Sequence, residues 1–214
     1  MTRVRKEVLY VAFDVEAAGP RLGVHSLLSV GACALTRECL DFDEYQARGL
    51  LFYTELKPTV LEFDTGAMRV GCLHLCCLEE QRLIDARFDP THVQFDPALV
   101  LRHMTHVCEE PRTAAARFCL WLERMREDRS VIPLTDTVYF DSGHINLWLH
   151  AYGTSPLGHG GRDLHSIYQG FVGRSNAWLG ELPVPHNEQP HRADHDAVEL
   201  AQKGRVLLFE KLGW

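Results

Sequence analysis

The feature that most limits how this chain can fold is an apolar run, Leu9-Tyr10-Val11-Ala12-Phe13, that ends in Asp14-Val15-Glu16. Branched and aromatic residues in such a run predict a buried strand. Residues two apart on a strand share a face, so Asp14 and Glu16 project side by side from its end. Two carboxylates so placed repel each other and resist joint ionisation. A hard divalent cation between them removes the conflict, because such ions prefer carboxylate oxygens. The plain alternative is an acidic strand end facing water. The metal reading requires the rest of the chain to supply more acids and a base.

Further strands are predicted at Ser26–Leu35, at Leu50–Leu56, which Lys57-Pro58 stops, and at Ser130–Thr135. The first three, joined by modest connections, suggest an antiparallel meander. Pro133 puts the 130–135 strand at a sheet end or edge. Ala114, Phe118, Leu122 and Met125 recur at helical spacing and predict a helix over Thr113–Arg126. Other helices are expected at Ile145–Tyr152, at Asp163–Phe171 and, amphipathic and long, at Ala193–Leu212. Gly153–Gly161 reads as a flexible connection that lacks the order of a phosphate-cradling loop. Trp178–Pro190 is polar and proline-bearing, a loop by composition.

The 214 residues suit one domain spanning 1–214. A net charge of −7 argues against a broad basic face that coats nucleic acid. It leaves room for an enzyme that grips only a strand end, since bound cations supply positive charge locally. No apolar run approaches the roughly 18 residues of a membrane span, and Met1–Glu7 lacks the apolar core of a secretory signal. Seven cysteines without a regular framework favour reduced thiols in a cytosol-like compartment, cytoplasm or nucleus. Cys72, His74, Cys76 and Cys77 raise the question of a zinc-stabilised interaction module, but the C-x-H-x-C-C spacing is unusual for zinc. Their leucine neighbours favour packed thiols instead.

Three features need one account: Asp14 with Glu16, Asp141 after an aromatic where a strand gives way to a helix, and His191-Arg192-Ala193-Asp194-His195-Asp196 opening the last helix. Singly, each has an ordinary explanation: a solvated strand end, a helix N-cap at Asp141, a first-turn charge at Asp196, a loop histidine. Jointly, Asp-Val-Glu, Phe140-Asp141 and His-x-Ala-x-x-Asp resemble, in order and spacing, the three motifs of the DEDDh 3′–5′ exonuclease superfamily. That group includes proofreading exonucleases, ribonuclease T and oligoribonuclease. The resemblance spans residues 9 to about 205. Asn146 competes with Asp141 for the second motif, but an amide cannot supply the charge.

The resemblance implies a ribonuclease H-like α/β fold: a mixed five-stranded sheet, three antiparallel strands then parallel ones, flanked by helices. It implies a phosphodiester hydrolase releasing nucleoside monophosphates from single-stranded 3′ ends. Asp14, Glu16, Asp141 and Asp196 would hold two Mg²⁺ or Mn²⁺ ions, and His191 would act as general base. The chemistry stands on its own, since two metal ions can activate water and stabilise the leaving oxygen, and imidazole suits proton transfer near neutral pH. His186 and His195 are rival histidines. Ala17, Ala18 and Gly19 would let backbone amides approach the terminal nucleotide, Leu22 would wedge a base, and His144 would contact the scissile end. Trp178 would stack there or be buried. A catalytically idle nucleic-acid-binding or scaffold protein on the same fold is the alternative. No stretch distinguishes DNA from RNA, which rests on contacts to the 2′-hydroxyl, and none sets an oligomeric state.

Overall fold

The computed structural model describes residues 7–152, 155–158 and 160–214. The N-terminal stretch through Lys6, and Gly153, Thr154 and His159 of the predicted glycine-rich connection, lie outside the described residues. Among the described residues, five strands, β1 (Val8–Ala17), β2 (Leu27–Ala34), β3 (Leu51–Glu55), β4 (Ser130–Thr135) and β5 (Arg162–Asp163), form one sheet in the order β3-β2-β1-β4-β5. β1, β2 and β3 pair antiparallel, while β4 runs parallel to β1 and to β5. This is the mixed sheet expected of a ribonuclease H-like fold. β5 is two residues long, too short to leave a hydrophobic pattern in the sequence.

Among the described residues, eight α-helices surround the sheet: α1 (Phe42–Ala47), α2 (Thr65–Gly71), α3 (Glu79–Ile84), α4 (Pro97–Val107), α5 (Pro111–Arg126), α6 (Gly143–Tyr152), α7 (Leu164–Val172) and α8 (Ala193–Gly204). The period-two pattern of β1 divides the core. Leu9, Val11, Phe13 and Val15 pack with Phe118 and Trp121 of α5 and Trp148 of α6. Tyr10 and Ala12 face the other way, toward Leu164 of α7 and Ala197, Leu200 and Ala201 of α8. Asp14 and Glu16 continue the second series, so the strand's alternation aims both carboxylates at the face that α8 covers.

Residues 63–108, whose helical periodicity is weak, build a satellite core from Met68, Cys72, Leu75, Leu78, Phe88, Val100, Leu101 and Met104 against Ala18 and Leu28. Helices as short as α2 and α3 are unstable alone and exist only through such packing. The long last helix expected to reach Leu212 is α-helical only to Gly204 and continues as a π-helical turn, Arg205–Lys211. There Leu212 N–H donates to Leu207 O and Arg205 pairs with Glu210, both five residues apart, the spacing a π-turn brings together. No helix among the described residues is long and apolar enough to cross a membrane.

One glycine decides how α8 meets the sheet. Gly31 lies opposite Asp14 in the β1–β2 ladder. A Cβ there would sit 1.9 Å from Ala193 O and 2.5 Å from Asp194 N, backbone atoms at the start of α8. Gly31→Ala is therefore expected to push that end of α8 outward. Overpacking of this kind costs roughly 1–3 kcal/mol of stability, and a displacement of about 1 Å at a catalytic group costs on the order of a hundredfold in rate. Thermal denaturation and turnover on an oligonucleotide would measure both.

Candidate active site

Ladder pairing between β1 and β4 ends at Ala12 and Leu134, and beyond it the two strands diverge. The gap lies at the carboxyl ends of neighbouring parallel strands, the usual place for a site in an open α/β sheet. Asp14 and Glu16 leave β1 there. A register shift between Glu16 and Ala17, a bulge that twists the strand end, follows immediately. Asp141 comes from the other side, in a π-helical turn (Val138–Ser142) between β4 and α6. Asp196 comes from the first turn of α8. All four line one cleft of about 630 Å³, together with Asp136, Glu199, His191, Lys203, Phe140 and Trp178.

The electrostatics of the cleft are those of an acidic trap. Asp14 as a whole is half-buried, yet its Oδ2 is closed off from solvent and accepts no hydrogen bond among the described residues. Burial pushes the Asp14 carboxyl far up, and Asp141, Glu16, Asp196 and Asp136 push it further. Glu16 is raised by burial, then by Asp196 and Asp141. Asp141 rises to about 8, through burial and the Asp136 charge, against backbone N–H donors of Val15, Asp141 and Thr137 that favour its charged form. Burial takes Asp196 to about 7 although His191 N–H and Asn187 donate to it. Such a set is costly without positive charge, and an orphaned carboxylate oxygen among acids is what a cation site leaves when its ion is not counted. The donor set fits hard divalent ions.

His191 has φ = 65°, strained for a residue with a side chain, and sits one turn ahead of Asp196. Its N–H donates to Asp196 Oδ2 at 2.8 Å. One ring nitrogen lies within 4.8 Å of carboxylate oxygens of both Glu16 and Asp196. The rival histidines face elsewhere. His186 and His195 line a different hollow, of about 530 Å³, and His195 stacks on Phe42 with ring centroids 3.9 Å apart. Asn146 lines a third hollow beside Pro133, away from the acids.

The expected substrate contacts divide. Ala17 lines the cleft. Ala18 is not available as an amide donor: its N–H is bonded to Ser26 O at 2.8 Å, and its carbonyl accepts from Asp64 N–H at 2.8 Å. Gly19 lies against the His25 ring, where a Cβ would come within 2.1 Å of Nδ1. Leu22 is 45% exposed and folds over Gly143 at the start of α6. His144 is a correction. It is only 3% exposed and faces a separate 180 Å³ hollow with His25 and Lys57, not the cleft. Burial lowers it to about 4, and its ring packs edge-on against Phe140, with centroids 4.9 Å apart. Trp178 is 67% exposed and does line the cleft, whereas Trp148 is buried and donates to Pro111 O.

Asn187 is a site residue the sequence reading missed. Its Nδ2 donates to Asp196 Oδ1 at 2.5 Å and to Glu199 Oε2 at 3.2 Å, while its Oδ1 accepts from Gln189 N–H at 2.9 Å. It thereby ties the loop that carries His191 to the helix that carries Asp196. Only its position ahead of His191 in a polar loop could have suggested it. Asn187→Ala is expected to lower turnover about tenfold, one strong hydrogen bond's worth. It should also move the acidic limb of the pH–rate profile upward, because a carboxylate that loses a donor titrates higher.

No protein-family model matches the chain. It is 27% identical over 212 residues to the 3′–5′ DNA exonuclease Cap18 of Escherichia coli, covering 96% of this chain and 94% of that one. Among solved structures, the nuclease domain of 3′hExo, a DEDDh family member bound to rAMP, matches with a TM-score of 0.66 at 13% identity, over 96% of this chain and 94% of that one. E. coli exonuclease I in complex with a dA16 oligonucleotide matches with a TM-score of 0.62 at 11% identity, over 96% of this chain but 41% of that one. The structural likenesses show the shared fold. With that fold and the order of its acidic motifs, the chain is similar over nearly its whole length to a 3′–5′ DNA exonuclease.

Proposed function

We propose that the protein removes nucleoside monophosphates from the 3′ ends of single-stranded DNA, using Asp14, Glu16, Asp141 and Asp196 to hold two Mg²⁺ or Mn²⁺ ions. The observation that carries this reading is the convergence of these four acids, from three distant segments, around the donorless Oδ2 of Asp14. When bound, paired divalent ions supply charge to the phosphate and make a water a better nucleophile. The chain's own residues do the rest. His191, at the mouth of the cleft within reach of Glu16 and Asp196, takes the proton from the attacking water. The Asp196 carboxylate, fixed by His191 N–H and Asn187, keeps that imidazole's loop in register with the acids. Trp178 and Phe140 offer apolar faces at the cleft wall on which unpaired bases stack.

The DNA preference rests on the Cap18 relationship and on nothing in the cleft itself. Single-strand preference is supported by the exposed Trp178, and by a net charge of −7 that gives no basic track for a duplex. His191→Ala is expected to lower kcat by about 10²–10⁴-fold, the range for loss of a general base, with little change in oligonucleotide affinity measured in Ca²⁺. The whole reading is tested by a 5′-labelled single strand. Stepwise shortening with Mg²⁺ or Mn²⁺, stopped by chelator, is the expected result. Internal cuts first, or no cleavage of either DNA or RNA, would overturn it.

A further inference from the structure

The fold takes apart the cysteine-rich stretch that the acidic cleft does not use. Cys72 is buried in the satellite core, Cys76 is exposed, and His74 stands apart, half-exposed. Cys77 instead meets two residues from distant segments. One ligating atom each of Glu55, Cys77 and Cys108 lies within 4.8 Å of the others. They arrive from the end of β3, from the 3₁₀ turn Cys76–Leu78 and from the residue that follows α4.

The backbone holds this cluster in place. Glu109 N–H donates to Glu55 O at 3.0 Å and Lys57 N–H to Glu109 O at 2.9 Å, a parallel bridge that sets Glu55 beside Cys108. The Glu55 carboxylate is oriented by three donors. Tyr53 Oη at 2.6 Å and Cys76 N–H at 2.5 Å meet its Oε1, and Cys77 N–H at 2.9 Å meets its Oε2. Each carboxylate oxygen has about two acceptor sites, so Oε2 keeps one open. A divalent ion held by both sulfurs would bind them as thiolates. Two sulfurs with one oxygen suit a borderline, thiophilic divalent ion in a tetrahedral site, not Mg²⁺. Cys77 and Glu55 are half-buried, which leaves solvent access to the fourth position.

We propose that Glu55, Cys77 and Cys108 form a zinc-class metal site, distinct from the acidic cleft, that fastens the helical segment between β3 and α5 to the sheet. That segment includes α2, whose Gly66, Ala67 and Val70 form one wall of the cleft. Metal at this site therefore steadies the cleft without entering its chemistry.

Cobalt(II) titrated into the full-length, reduced, metal-stripped protein tests this directly. The expected result is thiolate-to-cobalt charge-transfer absorption that saturates at one equivalent; the cleft has no sulfur and cannot produce it. Cys77→Ser and Cys108→Ser should each abolish the band, while Cys76→Ser keeps it. Glu55→Gln should weaken cobalt binding at least about tenfold, the scale on which metal sites respond to altered surroundings. No band in the wild-type protein overturns the proposal without reference to any variant. A band that survives both serine variants overturns it as well. So does a Cys77–Cys108 disulfide in freshly purified protein that gives no band after reduction, which would point to a redox staple.

Discussion

Asp14→Asn should abolish nuclease activity and at the same time make the metal-free protein harder to unfold. The two effects share one cause. Asp14 is the most crowded acid in the cleft, pushed upward by burial and by four neighbouring carboxylates, with one oxygen lacking any donor. An isosteric amide keeps the shape, removes the charge and offers N–H donors to the surrounding acids. Relief of a buried, unsatisfied group is worth roughly 1–3 kcal/mol, or about 2–10 °C in Tm for a chain of this size. The same change removes a ligand that two cations would share. Their contribution amounts to several kcal/mol, so the rate should fall at least about a thousandfold. Differential scanning calorimetry in chelator and single-turnover cleavage of a labelled strand measure the two arms. A variant that loses activity and stability together would mean that Asp14 supports the fold and not a metal.

The stability of the protein should fall as pH rises without divalent metal, and fall less steeply with it. Asp14 and Glu16 titrate well above the ordinary carboxylate range in the folded chain, Asp141 near 8 and Asp196 near 7. An unfolded chain releases those protons at about pH 4. Between pH 4 and 8 the folded state thus holds more protons than the unfolded state, and stability must fall as pH rises. It is fully present below pH 4 and lost as pH passes through 7 to 8. Even one extra proton held by the folded state gives a slope of about 1.4 kcal/mol per pH unit, roughly 5–10 °C in Tm between pH 5 and 7. Mg²⁺ or Mn²⁺ at a hundred times its dissociation constant adds about 2.7 kcal/mol. That gain should be larger at pH 8 than at pH 5, because protons and metal compete for the same oxygens. Asp14→Asn should flatten the metal-free slope. A Tm at pH 8 that ignores both ions would sink the metal reading of the cleft.

Much of the site is legible in the chain itself because its parts carry local signatures. Strand alternation puts Asp14 and Glu16 on one face with Ala12, and the helix that covers that face carries Asp196. What resisted reading lies where local pattern and environment part company. The short helices of residues 63–108 take their stability from one another, β5 is two residues long, and the last helix widens into a π-turn over a buried arginine. The substrate contacts fared least well. Being close in sequence to Asp141 does not bring His144 into the cleft, because its ring is buried against Phe140 and lines a separate hollow.

The sequence by itself determined which acids exist, in what order, and that a buried strand must end on two of them. These are consequences of periodicity and of the cost of adjacent like charges. Only the tertiary structure decided that Asp141 and Asp196 reach that strand end, that Gly31 lets α8 come close enough, that Asn187 clasps Asp196, and that Cys77 meets Cys108 and Glu55 rather than its own neighbours. The physical reason is the same in each case. These contacts join residues far apart in the chain, and their positions are set by how strands diverge and helices pack, not by any local preference.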